Sequence, residues 1–447
     1  MSNIADLKEL LSTRIAVLDG GMGTMLQRQK LTAEDFGGAA YEGCNENLIL
    51  TKPEAIASVH RAYYAAGADI VETCTFGSTP LVLDEYGLGS KAYEISKAGA
   101  VLARVEALAA QSRDGKVRFV AGSVGPTTKS LSLTGGATFQ ELVENFRVQV
   151  GGLWDGGADY ILLETQLDTL NTKAGLVGVE AAARERGVVI PVAISGTIEM
   201  QGVMLAGHSA EAFYASLEHV DPLYVGLNCA TGPEFMTDHV RSLARTARTN
   251  VACAPNAGLP NEFGGYDESP ETLARALARF GEAGWLNVVG GCCGTTPDHI
   301  AAVAKAVSGL KPRLPAKERR RWVTGIDILE MEESGRPYIV GERTNSIGSR
   351  AFKNLINDGK FEEAAEIARK QGRAGAHIID VCLANPDRDE RADMVEFLSR
   401  AAKAVKAPFM IDSQDPAVVE AAFQLVQGKC ILNSVNLEDG PRAERFT

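Results

Sequence analysis

Short apolar, β-branched runs alternate with segments of helical periodicity through the first 308 residues. Eight such runs occur, each followed by a loop and a helical pattern: IAVLDGG, DIVETCTF, RFVAGSVGP, YILLET, VVIPVAISG, LYVGLNCA, VACAPNAG and LNVVGGCCG. Each run is typical of a strand that is buried on both faces. The helical segments are rich in alanine and carry glycine near their C-terminal ends, as in KPEAIASVHRAYYAAG and SPETLARALARFGEAG. Eight β-then-α units predict an α/β fold whose N-terminal domain, residues 1–308, is a (β/α)8 TIM barrel.

A doubly wound open sheet is the alternative architecture for the same pattern. Such a sheet typically carries a glycine-rich phosphate-binding fingerprint after its first strand. The first strand here leads into LDGGMGT, which does not match that fingerprint. The barrel is therefore the favoured prediction.

A different rhythm begins after the predicted barrel. Residues 309–335 include GLKPRLPAKERRRW, whose two prolines and basic cluster predict a solvated linker or, alternatively, a binding patch. Residues 336–447 then contain four strand-like runs with helical segments between them: PYIVGERTN, HIIDVCLANPD, PFMIDS and CILNSVN. Four β/α units do not close a barrel. We therefore predict the first half of a second TIM-barrel-like domain, with an unpaired apolar parallel edge.

The composition is that of a globular protein with more than one domain. The chain has 447 residues, which is more than one compact core of ordinary size accommodates. Its net charge of -12 argues against nucleic acid or an anionic membrane as a partner, and no apolar run approaches the length of a membrane span. The first residues lack the features of a signal peptide, and the eight cysteines are scattered along the chain. We expect a cytoplasmic protein whose cysteines are reduced.

Polar residues at the ends of the predicted strands are the candidate functional groups. TIM-barrel enzymes build their sites at the C-terminal ends of the strands. This rule selects Asp19, Glu72, Gly125, Glu164, Ser195, Asn228, Cys229, Asn256, Cys292 and Cys293. Because Cys229 ends the sixth strand and Cys292 and Cys293 end the eighth, we expect the three thiols to meet at one mouth of the barrel.

Three converging cysteines suit a zinc ion, which favours sulfur ligands in tetrahedral geometry and keeps one position open in catalytic sites. Adjacent side chains on a regular strand point to opposite faces. The flanking Gly290, Gly291 and Gly294 are expected to supply the backbone freedom that turns both thiols toward one metal. Two alternatives stay open for the adjacent cysteines: two buried small residues, or a redox-active vicinal disulfide.

The ligand set also indicates a type of chemistry. Three thiolates outweigh the charge of one Zn²⁺, which weakens the acidification of a bound water. The same shell suits an incoming thiol, because the metal binds it as a thiolate near neutral pH and the sulfur ligands keep it nucleophilic. The residues therefore predict alkylation of a thiol that becomes the fourth ligand.

Two sets of motifs resemble known families. The first domain resembles the homocysteine-binding domain of the homocysteine S-methyltransferases in LDGGMGT, ETCTF, GSVGP, LLET, ISGT, GLNCATGP, PNAGLPN and GGCCGTTP. The second region is similar to the pterin-binding domain of cobalamin-dependent methionine synthases in VGERTN, IDVCLA, MIDS and LNSVN. The resemblance covers essentially the whole chain, and it implies that residues 336–447 are an incomplete pterin (folate)-binding domain.

The resemblance assigns roles to residues of the first domain. It implies a zinc site in which homocysteine sulfur completes the shell of Cys229, Cys292 and Cys293. Asp19, the backbone of Gly20, and Glu164 are expected to hold the amino-acid head group of homocysteine. The alternatives are a turn-capping role for Asp19 and a structural ion pair for Glu164. The residues expected to shape the rest of the pocket are Ser123, Ser195 and Asn228.

In the second domain, the resemblance implies a folate site at the strand ends. Its residues are Glu342, Asn345, Asp380, Asp412 and Asn433. Carboxylates and amides pair with the neighbouring donors and acceptors along a pterin edge. Ordinary loop capping is the alternative. Cys382 departs from the family pattern, in which many relatives carry Asn.

The combined prediction is a methyltransferase that makes methionine from homocysteine. A zinc-activated homocysteine thiolate attacks the methyl group of methylcobalamin, and 5-methyltetrahydrofolate is the ultimate donor. Because cobalamin-binding and reactivation domains and the later pterin-domain strands are missing, we expect methylcobalamin to be carried by a cobalamin-binding domain in cis in a full enzyme or in trans. The alternatives are a cobalamin-independent homocysteine S-methyltransferase that uses betaine or S-methylmethionine, a non-catalytic zinc- or thiol-binding module, and a redox protein.

Overall fold

The computed structural model describes residues 4–262 and 264–434, which form an eight-stranded, a two-stranded and a four-stranded sheet with surrounding helices. The strands are β1 Ala16–Val17, β2 Ile70–Glu72, β3 Phe119–Val124, β4 Tyr160–Gln166, β5 Val192–Gly196, β6 Tyr224–Asn228, β7 Asn250–Ala254, β8 Val288–Val289, β9 Trp322–Thr324, β10 Ile328–Glu330, β11 Val340–Gly341, β12 Ile378–Val381, β13 Phe409–Asp412 and β14 Ile431–Asn433.

The helices of the first domain lie between the strands. They are α1 Ile4–Thr13, α2 Met22–Arg28, α3 Leu48–Thr51, α4 Pro53–Ala66, α5 Pro80–Leu83, α6 Ala92–Asp114, α7 Phe139–Asp155, α8 Thr169–Arg186, α9 Ala210–Leu217, α10 Pro233–Thr246, α11 Pro270–Glu282 and α12 Pro297–Val307. The second region contains α13 Arg350–Asn357, α14 Phe361–Arg373, α15 Glu390–Ala404 and α16 Pro416–Phe423. Within the described ranges, no helix combines the length and the apolar character needed to cross a membrane.

The first eight strands form one parallel sheet in the order β1-β8-β7-β6-β5-β4-β3-β2. A parallel bridge between Leu18 and Ile70 joins β1 to β2, and Asp69 N donates a hydrogen bond to Val17 O (2.7 Å). The two ends of the sheet therefore meet. This arrangement confirms the predicted (β/α)8 barrel and excludes the open doubly wound sheet, whose edge strands stay apart.

Alternation along the strands separates two apolar layers. Outward-facing residues such as Val17 and Ile161 pack against the helices. Inward-facing residues such as Leu162 form a separate cluster that also contains Leu7 and Leu11 of α1. Because α1 packs at the N-terminal ends of the strands, the opposite end of the barrel is the one where polar side chains gather.

Local sequence signals start and stop the helices. The α7 helix begins with a capping box, in which the Thr138 hydroxyl accepts from Glu141 N and the Glu141 carboxylate accepts from Thr138 N. Asp168 caps α8 through a single hydrogen bond from Leu170 N (2.8 Å). The α8 helix ends at Arg186, and the next residue, Gly187, adopts a φ of 62°.

The segment between the two domains packs against the barrel. It contains the antiparallel pair β9 and β10, and Trp322 is 4% exposed. The Trp322 indole donates to Glu218 Oε1 (2.8 Å), and the Arg313 guanidinium donates to backbone carbonyl groups, including that of Thr249 (2.8 Å). This part of the predicted linker is therefore packed rather than solvated. The domain boundaries at residues 308 and 336 stay a prediction.

The second region is a parallel sheet in the order β11-β12-β13-β14. Helices α13 to α16 cover it through a separate apolar cluster that includes Phe352, Phe397, Phe409 and Ile411. Among the described residues, β14 pairs with β13 alone, as predicted for the first half of a second barrel. The predicted region from residue 435 to 447 lies outside the described residues.

A short loop between α16 and β14 connects this region to the first barrel. Lys173 of α8 donates to the carbonyl oxygen of Gly428 (2.6 Å), and the Gln427 amide donates to Ala206 O (3.1 Å). Lys429 pairs with Glu218 of the barrel (2.9 Å). Beside these contacts, a cavity of about 1510 Å³ lies between α8 and α16. It is remote from the cysteines at the barrel mouth.

Candidate functional site

Three cysteines at the ends of β6 and β8 form a sulfur cluster. The Sγ atoms of Cys229, Cys292 and Cys293 all lie within 4.8 Å of one another, and those of Cys229 and Cys293 are 3.9 Å apart. In a tetrahedral zinc site with Zn–S bonds of about 2.3 Å, sulfur atoms lie about 3.8 Å apart. Within the described ranges, no other set of three His, Cys, Asp or Glu side chains meets this criterion. The three thiols therefore fit a zinc ion with one open position.

Backbone hydrogen bonds fix the two adjacent cysteines beyond the end of β8, where strand alternation does not apply. Cys292 N donates to Pro255 O (2.9 Å), and Cys293 N donates to Asn256 Oδ1 (3.1 Å). The loop after β7 thus holds both cysteines. Asn256, which the strand-end rule selected without a role, orients Cys293.

The glycines around the pair act in two ways. Gly294 adopts a φ of 81°, so the expected backbone freedom is used there. Gly290 does not adopt a positive φ. Instead, a Cβ atom at Gly290 would lie 2.8 Å from Leu18 Cβ and 3.0 Å from Asp19 O. Close packing against β1, rather than an unusual dihedral angle, requires glycine at that position.

Cys229 itself has a left-handed backbone conformation, with a φ of 60°. Such a conformation costs on the order of 1–3 kcal/mol for a residue other than glycine. It is maintained by hydrogen bonds from Cys229 N to Ala254 O (3.3 Å) and from Thr231 N to Cys229 O (2.6 Å). The strained turn directs the Cys229 thiol toward the β8 loop.

The three sulfur atoms share protons in the absence of a metal. Hydrogen bonds with Cys229 and Cys292 lower the pKa of Cys293 to about 3. Hydrogen bonds with Cys229 and Cys293, together with burial, raise the pKa of Cys292 well above its usual value. One thiolate is therefore present near neutral pH, and a divalent cation must displace the remaining protons to gain all three sulfur ligands.

Two predicted carboxylates, Asp19 and Glu164, lie at the same mouth of the barrel as the sulfur cluster. Asp19 lies 2% exposed at the end of β1, and its Oδ2 accepts from Glu72 N (3.1 Å). Asp19 Oδ1 is buried and has no hydrogen-bond partner within the described structure. Glu164 at the end of β4 accepts a hydrogen bond from the Ser123 hydroxyl. Burial raises the pKa of Glu164 to about 7.

The remaining predicted pocket residues are held by protein partners. Asn228 Oδ1 accepts from the Ser195 hydroxyl (2.6 Å) and from Thr165 N (3.0 Å), and Asn228 Nδ2 donates to Thr165 Oγ1 (2.7 Å). A side chain at Gly20 would collide with the Thr295 and Tyr63 hydroxyl groups. These residues build the pocket wall next to Glu164, and their roles toward a substrate stay a prediction.

Two residues at this mouth were not assigned a role from the sequence. The backbone N–H of Glu72 donates to Asp19 Oδ2 (3.1 Å). The Tyr266 ring packs against the cysteine loop, where a side chain at Gly294 would lie. The strand-end rule selected Glu72 without assigning it a role. The rule could not select Tyr266, because the loop after β7 has no periodic pattern that places it.

The predicted folate residues lie at the corresponding end of the second sheet. Asn345 Nδ2 donates to Asp380 Oδ2 (3.2 Å), and burial raises the pKa of Asp380 to about 6. Asp412 and Asn433 line a pocket of about 880 Å³ together with Cys382. Glu342 is exposed.

That second-region pocket contains a residue that the sequence did not single out. Glu390 Oε1 lines the pocket, and it is buried without a hydrogen-bond partner in the described structure. The structure therefore places two of the five predicted side chains, Asp412 and Asn433, in one pocket, pairs Asn345 with Asp380, and leaves Glu342 exposed.

Comparison with known proteins agrees with this two-part organisation. The model of the homocysteine S-methyltransferase family matches residues 16–307, and the model of the pterin binding enzyme family matches residues 341–446. The oxidized form of the homocysteine methyltransferase MmuM from Escherichia coli is 24% identical, with a TM-score of 0.55 over 65% of this chain and 95% of that one. Its metallated form is 23% identical, with a TM-score of 0.54 over 66% and 98%. At these identities the structural likeness shows the fold alone.

Proposed function

Because the chain belongs to the homocysteine S-methyltransferase family, we propose that it transfers a methyl group to the sulfur of homocysteine and so makes methionine. The single observation that carries this proposal is the cluster of three thiols within 4.8 Å at the barrel mouth. Zinc, when bound to Cys229, Cys292 and Cys293, holds the substrate sulfur as a nucleophilic thiolate. A cytoplasmic location, which keeps the three thiols reduced, is part of the proposal.

The chain's own side chains orient the amino acid. Asp19 Oδ1 has no partner among the described residues and therefore needs a donor such as an ammonium group. Glu164, held by Ser123, offers a second acceptor, and the Gly20 backbone lies next to Asp19. Binding of the head group at these carboxylates places the substrate sulfur near the cysteines, because Asp19 O accepts from Gly291 N (3.0 Å) directly before Cys292. Ser195 and Asn228 stabilise the wall behind it.

We further propose that methylcobalamin, presented by a cobalamin-binding domain in cis or in trans, is the methyl donor. Exposed apolar side chains follow five of the barrel strands on the side of the mouth: Phe76, Leu133, Met200, Leu205, Phe235 and Leu259. An apolar rim of this kind suits a large donor carried by a protein domain. The match of residues 341–446 to the pterin binding enzymes supports 5-methyltetrahydrofolate as the ultimate donor, bound near Glu342, Asn345, Asp380, Asp412 and Asn433.

Two other functions make different demands on the same site. A cobalamin-independent enzyme uses betaine or S-methylmethionine, which are small molecules whose transferable methyl group lies on a positively charged nitrogen or sulfur atom. A non-catalytic zinc- or thiol-binding module binds metal without turnover. The second region, with its match to pterin binding enzymes, favours the cobalamin-dependent function over the first of these.

The test is methyl transfer by the purified chain. Homocysteine and free methylcobalamin are mixed with the protein anaerobically, and loss of the methylcobalamin spectrum and formation of methionine are followed. Parallel samples contain a strong zinc chelator or the Cys292→Ala variant. We expect methionine to form only with the metal and the intact cysteine. Turnover with betaine or S-methylmethionine alone supports the cobalamin-independent function, and zinc binding without turnover by any donor supports the module.

A further inference from the structure

The loop between β5 and α9, residues 197–209, connects the mouth of the first barrel with the chain that follows the barrel. It begins at the C-terminal end of β5 and therefore lies on the side of the mouth. At its start, the Thr197 hydroxyl donates to the carbonyl oxygen of Asn228 (3.0 Å), directly before Cys229. The first part of the loop is thus joined to the strand that carries a sulfur ligand.

The last part of the loop contacts the chain beyond the barrel. The carbonyl oxygen of Ala206 accepts a hydrogen bond from the side-chain amide of Gln427 (3.1 Å), which lies between α16 and β14. The next residue, Gly207, adopts a φ of 94°, and a Cβ atom there would lie 3.2 Å from Ile326 Cγ2. The loop therefore packs directly against both the segment between the domains and the second region.

His208 fixes the same part of the loop through both of its ring nitrogens. Its Nε2 lies 2.7 Å from the carbonyl oxygen of Gly325, so this nitrogen carries the proton and donates. Its Nδ1 then accepts from the Thr169 hydroxyl (2.8 Å) at the start of α8. Burial lowers the pKa of His208 to about 4, so the ring is neutral near pH 7 and keeps this pattern. The imidazole therefore joins the barrel to the segment between the domains.

The contacts at the base of the loop are buried, whereas two of its large apolar side chains face solvent. His208 is 0% exposed and Gln427 is 7% exposed. Met200 and Leu205 of the same loop are 61% and 56% exposed. Loss of a buried partner leaves a polar group unsatisfied, which costs more than loss of an exposed one. The position of Met200 and Leu205 therefore depends on contacts made by the chain beyond the barrel.

We propose that Gln427 and His208 are positioning residues through which the chain beyond the barrel fixes the loop between β5 and α9, so that Met200 and Leu205 meet the methyl donor at the barrel mouth. This inference rests on the proposed function for the identity of the donor, whose corrin ring is large and partly apolar. It adds that the second region contributes to methyl transfer in the first barrel by direct contact, separately from any folate that it binds.

Steady-state kinetics with free methylcobalamin tests the positioning role. We expect Gln427→Ala to raise the KM for methylcobalamin about fivefold or more, while kcat and the KM for homocysteine stay within about twofold of wild type. Zinc content is expected to be unchanged. The matched control is Gln424→Ala, the same substitution at a side chain that lines the cavity between α8 and α16. Equal KM values for methylcobalamin in both variants, or loss of zinc or homocysteine binding in Gln427→Ala, overturn the proposal.

Hydrogen exchange followed by mass spectrometry tests the loop without turnover. Peptides from residues 197–209 are expected to exchange about threefold or more faster in Gln427→Ala and in His208→Leu than in wild type. Peptides that contain Cys292 and Cys293 are expected to exchange at the same rate. His208→Gln is expected to restore slow exchange, because a Gln side chain offers both a donor and an acceptor. Unchanged exchange of the loop in Gln427→Ala contradicts the proposal.

The two measurements separate this inference from the proposed function. If the loop exchanges faster in the variants but zinc-loaded wild type forms no methionine from methylcobalamin, the proposed function fails and the fixing of the loop by the second region stands. If wild type forms methionine and the KM for methylcobalamin is unchanged in Gln427→Ala, only the positioning role is overturned. Should His208→Leu fail to fold, Gln427→Ala and its control still decide the matter.

Discussion

The first barrel and the second region are built from the same β/α unit, but the sheet of the first closes and that of the second stays open among the described residues. In the barrel, closure brings β1 beside β8, so that Asp19 from the start of the domain lies next to the cysteine loop from its end. In the second region, Asn345 and Asp380 are hydrogen-bonded to each other and are only 35 residues apart in the sequence. The two regions therefore assemble their polar groups over very different sequence distances.

This difference affects how enclosed the two sites are. At the barrel mouth, Asp19 is buried and its Oδ1 is isolated from solvent. In the second region, Glu342 is exposed and Asp412 and Asn433 are partly exposed. A ring of strands surrounds a ligand on every side, whereas a row of four covers it on one face. We expect the site of the first barrel to enclose its ligand more completely than the site of the second region.

The largest effect is expected from breaking the sulfur cluster. Cys292→Ala leaves two sulfur ligands, so zinc retention is lost and methionine formation falls by about a thousandfold or more. The matched control is Cys430→Ala, which removes a thiol from the second region. Metal analysis and turnover measurements are made on both variants. Full zinc content in Cys292→Ala contradicts the proposed ligand set.

A second substitution tests the contact between the two regions. A Cβ atom at Gly428 collides with the carbonyl group of Thr324, so Gly428→Ala is expected to destabilise the contact between the regions by about 1–3 kcal/mol. Differential scanning calorimetry is expected to show earlier unfolding of the second region with an unchanged transition for the barrel. The control is Gly372→Ala in α14, where a Cβ atom has no neighbour within 4 Å. Equal behaviour of the two variants argues against tight packing at Gly428.

The pH dependence of substrate binding tests whether buried charge matters in the first barrel. Burial raises the pKa of Glu164 to about 7, and the ionised form is the one that attracts an ammonium group. Homocysteine affinity is therefore expected to fall as pH decreases, by about tenfold between pH 8 and pH 6. Calorimetry on wild type and Glu164→Gln checks this. A fall of the same size in Glu164→Gln assigns the pH dependence to another group.

The smallest effect is expected in the second region itself. Because its site is covered by four strands, 5-methyltetrahydrofolate is expected to bind this chain more weakly than micromolar, and Asp412→Asn changes that weak binding little. Equilibrium titration by fluorescence or calorimetry measures it. Micromolar affinity that is lost in Asp412→Asn shows instead that the open sheet already holds a complete folate site.

Much of the candidate site followed from strand ends, because position along a strand is a local property. The eight apolar runs located Asp19, Glu164, Cys229 and the Cys292–Cys293 pair at their C-terminal ends, and the structure brings these residues to one mouth. The rest depended on long-range contacts. The hydrogen bond from Thr165 N to Asn228 Oδ1 joins β4 and β6, two strands that are not neighbours in the sheet, and no pattern within either strand indicates it.

The segment between the two domains shows the same limit. Its prolines and basic cluster predicted a solvated linker, yet Trp322 and Thr324 are buried against the barrel. Composition indicates whether a segment is stable in water on its own. It does not indicate that β9 can pack against a surface formed by α9 and the loop at Gly428, because that surface exists only in the folded protein.

The sequence by itself determined the α/β class, the number of β/α units in each region and the strand-end positions of the metal and substrate candidates, because hydrophobic periodicity and turn residues act within a few positions of the chain. Only the tertiary structure decided that β1 meets β2, that three sulfur atoms lie within 4.8 Å of one another, and that Asn228 meets Thr165. These features depend on distances between residues far apart in sequence. Such distances are set by the closure and packing of the whole barrel.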